Sequence, residues 1–202
     1  MTHYSYLALG DSYSIGEQAP FAEAFPNQTV QLLRKAGLAF YAAEIIAKTG
    51  WTTDELNNAI AQTSFIADGY DIVSLLIGVN NQYRGRSAAE FTNEFKQLLQ
   101  LAIRFAGNRP GRVFVVSIPD WGVTPFAEGR DRKQVAEEID AYNQVCENAA
   151  KEFLVHYIDI TGSQREDGYK AEYLVADGLH PSGREYAKWA HKLAEAILKE
   201  LK

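Results

Sequence analysis

Two stretches of this 202-residue chain constrain its fold more than any others: 71–78, DIVSLLIG, and 112–118, RVFVVSI. Each is a nearly unbroken run of Ile, Val, Leu and Phe, the pattern of a strand covered on both faces. Such a sheet is parallel, with helices above and below it and right-handed crossovers between. Leu7-Ala8-Leu9 reads as the first strand, 40–47 holds the second, and 154–160 is the last. Between them the spacing predicts helices. One starts near Pro26, turns Val30, Leu33 and Ala36 inward and stops at Gly37. Thr52 with Glu55, and Ser87 with Glu90, have capping-box spacing. The first opens a helix through Leu56 and Ile60. The second opens one that lines Phe91, Phe95, Leu98, Leu99, Ala102 and Phe105 along one face before Gly107. A fourth helix over 131–152 buries Val135, Ile139, Tyr142 and Cys146. The last takes Ser182 as cap and Glu185 as its partner, and faces Tyr186, Trp189, Ala190, Leu193 and Ile197 to the core. Segments 13–24 and 161–176 read as loops. Five strands alternating with five helices make a three-layer α/β/α fold, one domain over 1–202.

Composition narrows the function. A formal net charge of −6 offers no basic face to nucleic acid or to an anionic membrane. A lone cysteine, Cys146, excludes an intramolecular disulfide. The four histidines, His3, His156, His180 and His191, form no HxH or HExxH pattern, so no metal is expected. No GxGxxG or phosphate-loop pattern follows the first strand, which argues against a nucleotide. No cofactor is expected at all. The amino-terminal residues have no basic region and no long apolar core, and no apolar run reaches the length of a membrane span. A cytoplasmic protein acting on a small molecule is the expectation, with the oligomeric state left open.

The exits of parallel strands share one edge of a sheet, where ligands bind. Here they carry Gly10-Asp11-Ser12, Thr49-Gly50-Trp51, Gly78-Val79-Asn80 and Asp120-Trp121-Gly122, and the loop after the last strand adds Asp177-Gly178-Leu179-His180. These residue types suit acyl transfer. Ser12 is a nucleophile once a base takes its proton, His180 is that base, and Asp177 fixes the imidazole. The N–H groups of Ser12 and Gly50 and the amide of Asn80 can meet the oxyanion, each such donor contributing about 10²- to 10³-fold in turnover. Tyr83, Trp121 and Phe126 follow strand exits and can line an acyl or alcohol pocket. Taken singly, each residue has an ordinary reading as a turn former or a packed aromatic. Asp11 is read as a turn-bonding residue, His3, His156 and His191 as surface or packing residues, and Cys146 as a buried thiol.

In kind and order these motifs resemble those of the SGNH hydrolase superfamily, the GDSL-type esterases and lipases. Gly10-Asp11-Ser12 is similar to its first block, Gly50 to the second, Gly78-Val79-Asn80-Asn81 to the third, and Asp177-Gly178-Leu179-His180 to the last. The resemblance implies a flavodoxin-like five-stranded parallel sheet of order 2-1-3-4-5. It also implies a serine esterase that hydrolyses carboxylic esters, or thioesters, of small to medium acyl chains through an acyl-enzyme on Ser12. A carbohydrate acetylesterase or a lysophospholipase would keep the same triad. A non-catalytic binding module on the scaffold is the distant alternative. Two positions depart from the pattern: Tyr13 stands where the family has leucine, and Asn81 where it has aspartate.

Overall fold

The three most apolar runs become the centre of the sheet. In the computed structural model, which describes residues 3–65 and 69–201, the strands are β1 (Tyr6–Asp11), β2 (Glu44–Lys48), β3 (Ile72–Leu76), β4 (Val113–Val116) and β5 (His156–Ile158). All pair in parallel, in the order β2-β1-β3-β4-β5 that the resemblance implies. Leu7 of β1 lies between Glu44 and Val73 in register. Every residue of β1, β3 and β4 is buried, whereas β2 and β5 are half-covered edges. Residues 1, 2, 66–68 and 202 of the 1–202 reading lie outside the described residues.

Five longer helices cover the sheet: α2 (Phe25–Lys35), α3 (Thr53–Gln62), α5 (Ala88–Phe105), α6 (Arg132–Phe153) and α8 (Gly183–Leu201). Three short ones sit at strand exits, α1 (Ser12–Ile15), α4 (Val79–Tyr83) and α7 (Thr161–Asp167). α2 packs along α8, while α5 packs against α3 and α6. Apolar stripes decide which faces turn in. Phe91, Phe95, Leu98, Leu99 and Ala102 of α5 are buried, as are Tyr186, Trp189, Ala190, Leu193 and Ile197 of α8. Trp189 lies 6.1 Å from Phe25 of α2 and 5.1 Å from Tyr186, ring to ring. Such aromatic pairs add about 0.5–1.5 kcal/mol each beyond their burial. None of the helices among the described residues is long and apolar enough to cross a membrane.

The structure corrects several local expectations. The segment expected as a second strand splits: Ala39–Phe40 pairs with His3–Tyr4 beside the main sheet, and only Glu44–Lys48 joins it. Ala36 is exposed at the end of α2 rather than buried, because Gly37 turns the chain away. The two supposed loops hold α1 and α7. Ser182 and Glu185 form no capping box. The Leu174–Pro181 bridge turns Ser182 so that its Oγ donates to the Glu172 carbonyl, 2.8 Å. Glu185 is buried instead, accepting from the Trp189 indole at 2.9 Å and pairing with Lys188. An indole N–H buried in a core requires an acceptor, and the carboxylate one turn back supplies it.

Candidate active site

β1 delivers Gly10 and Asp11 to the carboxyl edge of the sheet, and the chain turns at once into α1. Only glycine fits at position 10, since a Cβ there would lie 2.1 Å from Ser14 Oγ and 2.4 Å from the Leu76 carbonyl oxygen. Asp11 caps α1, its Oδ1 accepting from the Tyr13 amide at 3.0 Å. That agrees with its expected turn-bonding part. It is fully buried, and burial pushes its carboxyl up to about 7 against the opposing effect of that amide.

Ser12 is the first residue of α1, where backbone N–H groups have no partner within the helix. Its Oγ is 2.9 Å from His180 Nε2, and His180 Nδ1 is 2.7 Å from Asp177 Oδ2. A carboxylate only accepts, so Nδ1 carries the imidazole proton and Nε2 is free to take one from Ser12. The other Asp177 oxygen accepts from the amides of Leu179 and His180, at 2.8 and 2.9 Å. Burial works to raise the Asp177 carboxyl. The bonds from the His180 ring and the two amides outweigh it and hold the group below the usual carboxylate range. Gly178, at φ +65°, permits the tight loop, and its carbonyl accepts from Phe126 N–H at 3.1 Å. Tyr13 accounts for its own departure from the family pattern: its buried ring lies 5.2 Å from the His180 ring and 6.1 Å from Trp189, bridging the imidazole to the core.

Gly50 sits in the turn after β2 at φ +84°, a conformation that favours glycine. The short α4 braces this turn: Asn80 Nδ2 donates to the Trp51 carbonyl at 3.0 Å, and Arg84 Nη2 donates to the Gly50 carbonyl at 2.6 Å. The second N–H of the Asn80 amide remains available to a ligand. Ser12, Gly50, Asn80 and His180 open together on a cleft of about 160 Å³. Tyr83, Trp121 and Phe126 form one wall, with ring centroids 5.3–6.3 Å apart. Trp121 is fixed by its indole N–H bonding Gln82 at 2.8 Å, and Gln82 in turn bonds Glu138 of α6 at 2.6 Å.

Sequence reasoning missed Tyr13, Thr49, Val79 and Leu179 as cleft residues and Gln82 as the Trp121 anchor. Each of the first four adjoins a motif residue, a signal that could have found them. Gln82 carries none, since one polar side chain on a short helix reads like any other. Cys146 is buried away from the cleft, and burial pushes its thiol up. His156 stacks on Phe114 at 4.6 Å, and His3 stacks on Tyr41 at 5.2 Å. Among the described residues, no cluster of His, Cys, Asp and Glu is arranged to hold a metal ion.

Known proteins resemble this chain in sequence and fold. The model of the GDSL-like lipase/acylhydrolase family matches residues 8–188. An arylesterase from Vibrio mimicus is 23% identical over 198 residues, covering 96% of this chain and 88% of that protein. A lipolytic G-D-S-L family protein from Veillonella parvula superposes with a TM-score of 0.74 at 17% identity, covering 98% of this chain and 100% of the other. An acetylxylan esterase from Geobacillus stearothermophilus gives 0.70 at 22% identity, covering 98% and 94%. At those identities the two structures show a shared fold.

Proposed function

This chain belongs to the GDSL-like lipase/acylhydrolase family, and on that premise we propose that it is a serine esterase working through an acyl-enzyme on Ser12. One observation carries the reading: the unbroken hydrogen-bonded series Ser12–His180–Asp177 opens on an apolar cleft. In the first step His180 Nε2 takes the Ser12 proton as Oγ attacks the ester carbonyl. Asp177 holds the ring and stabilises the imidazolium. The tetrahedral oxyanion is met by the N–H groups of Ser12 and Gly50 and by the Asn80 amide. His180 then returns the proton to the departing alcohol. Water, deprotonated by the same nitrogen, attacks the acyl carbon and frees Ser12.

The cleft favours small to medium acyl groups of esters or thioesters, since its 160 Å³ falls below the ~300 Å³ typical of pockets for larger ligands. The aromatic wall suits a flat leaving group, in keeping with the name of the Vibrio relative. A short acetyl ester of a carbohydrate is a second reading, favoured by the same small volume and by the Geobacillus enzyme's name. The test is hydrolysis of p-nitrophenyl esters, acetyl to palmitoyl, by wild type, Ser12→Ala and His180→Ala, with acetylated xylo-oligosaccharide alongside. Turnover by wild type and its loss in both variants is expected, with a maximum at short chains. Wild type that neither hydrolyses any ester nor labels at Ser12 with a fluorophosphonate would leave a binding module and sink the proposal.

A further inference from the structure

The family's aspartate after the oxyanion asparagine is Asn81 here, and the structure supplies a reason for the exchange. Asn81 is fully buried and faces Thr53, the first residue of α3, three positions beyond Gly50. Its Oδ1 accepts from the Thr53 backbone N–H at 3.1 Å, which fixes which way the amide points. Nδ2 therefore faces the Thr53 hydroxyl, at 2.6 Å, and Glu94 Oε2 of α5, at 3.5 Å. The Thr53 hydroxyl donates in turn to Glu94. A hydroxyl has one proton, so the series runs in one direction: Asn81 gives to Thr53, and Thr53 gives to Glu94.

We propose that Asn81 is a positioning residue, paired with Glu94, that locks the turn carrying Gly50 onto α4 and so sets the oxyanion donors. The inference rests on reading Gly50 and Asn80 as those donors. A carboxylate at 81 would break the series twice. It offers only acceptors to a hydroxyl whose single proton already goes to Glu94, and it places a buried negative charge beside that half-buried glutamate. The other charged groups around the turn are already engaged. Arg86 reaches Glu94 at 3.7 Å and Asp54 at 2.6 Å, and Arg84 bonds Glu55 at 3.2 Å and the Gly50 carbonyl. An amide at 81 is thus the partner that a glutamate at 94 demands.

The experiment is a four-protein cycle: wild type, Asn81→Asp, Glu94→Gln and the double variant. Each is assayed on p-nitrophenyl butyrate from pH 6 to 9, with thermal unfolding measured in parallel. Asn81→Asp is expected to lose about 10- to 100-fold in kcat at pH 8 through misplaced donors, with KM held within about twofold. Glu94→Gln in the Asn81→Asp background should restore kcat to within about threefold of wild type, because the amide introduced at 94 can then donate to Thr53. Tm should follow the same pattern, falling in the single variant and recovering in the double. Full kcat in Asn81→Asp at every pH, or a double variant that simply compounds the two losses, would overturn the proposal. A wild type inert on esters would remove the catalytic premise alone. The Tm cycle would still read the 81–94 coupling, and additive Tm shifts would refute it.

Discussion

Asp11 is a carboxyl buried completely beside Ser12, with one oxygen bonded to the Tyr13 amide and the other without a hydrogen-bond partner. Burial raises it from 3.8 to about 7. In the window between those values the folded chain holds a proton that the unfolded chain has released. Stability from this group is therefore whole below the unfolded value, falls as the pH rises through the window, and is lost above it. At about 1.4 kcal/mol for each tenfold, the displacement amounts to roughly 4 kcal/mol. Asp11→Asn keeps an oxygen for the Tyr13 amide and removes the titration. The two proteins should match near pH 4, and the variant should be the more stable by several kcal/mol at pH 8.5. Urea denaturation at both pH values measures this, and every other titrating group cancels in the comparison. A difference between wild type and variant that stays constant with pH would refute the reasoning. So would a variant that is less stable at pH 8.5.

Further outcomes are expected at four other residues. Asp177→Asn should lower kcat on p-nitrophenyl butyrate by about 10⁴-fold through loss of the imidazole's fixed tautomer; a loss under tenfold would exclude Asp177 from the reaction. Because that carboxyl is held below its usual range, its stabilising effect is present above the unfolded value and lost as the pH falls through the folded one. Acid unfolding of Asp177→Asn should accordingly be shallower than that of wild type. Phe126→Ala, at a ring 45% exposed, should shift the acyl-length optimum upward and cost under about 1 kcal/mol. Trp121→Ala, at a buried ring bonded to Gln82, should cost about 3–5 kcal/mol by chemical denaturation. Equal costs for the two would contradict the contrast in their burial. Gly10→Ala should fail to give soluble folded protein, since the added carbon meets the Leu76 backbone as well as Ser14; a wild-type Tm would refute the close approach.

The strands at 71–78 and 112–118 were legible because burial on both faces leaves only a single serine inside each run, Ser74 and Ser117. Strand order was not, since crossover geometry sets it and no periodicity records it; the family resemblance supplied it instead. The short helices α1, α4 and α7 escaped notice for a related reason. Four to seven residues are too few to show a helical stripe, and tertiary contacts rather than local propensity hold them. Ser182-x-x-Glu185 carries the same letters as Ser87-x-x-Glu90, yet only the second forms a capping box. The difference lies in Trp189, which draws Glu185 into the core. The motif residues around the cleft were visible as letters in order. The side chains that brace them, Gln82, Arg84 and Glu94, were not, because a polar residue on a helix looks the same whether it supports a turn or faces water.

Ser12 and His180 lie 168 positions apart, at opposite ends of the fold's chain order, yet their side chains touch. A contact that distant closes one of the largest loops the chain can make, and topologies rich in such contacts fold slowly. The imidazole rests on Tyr13, whose ring lies against Trp189 of α8, the helix that packs along α2. On the proposed mechanism, reactivity is expected of the finished molecule and not of a nascent chain still tethered at its last helix. In refolding, Ser12 labelling by a fluorophosphonate should lag behind recovery of helical signal, timing the arrival of α8.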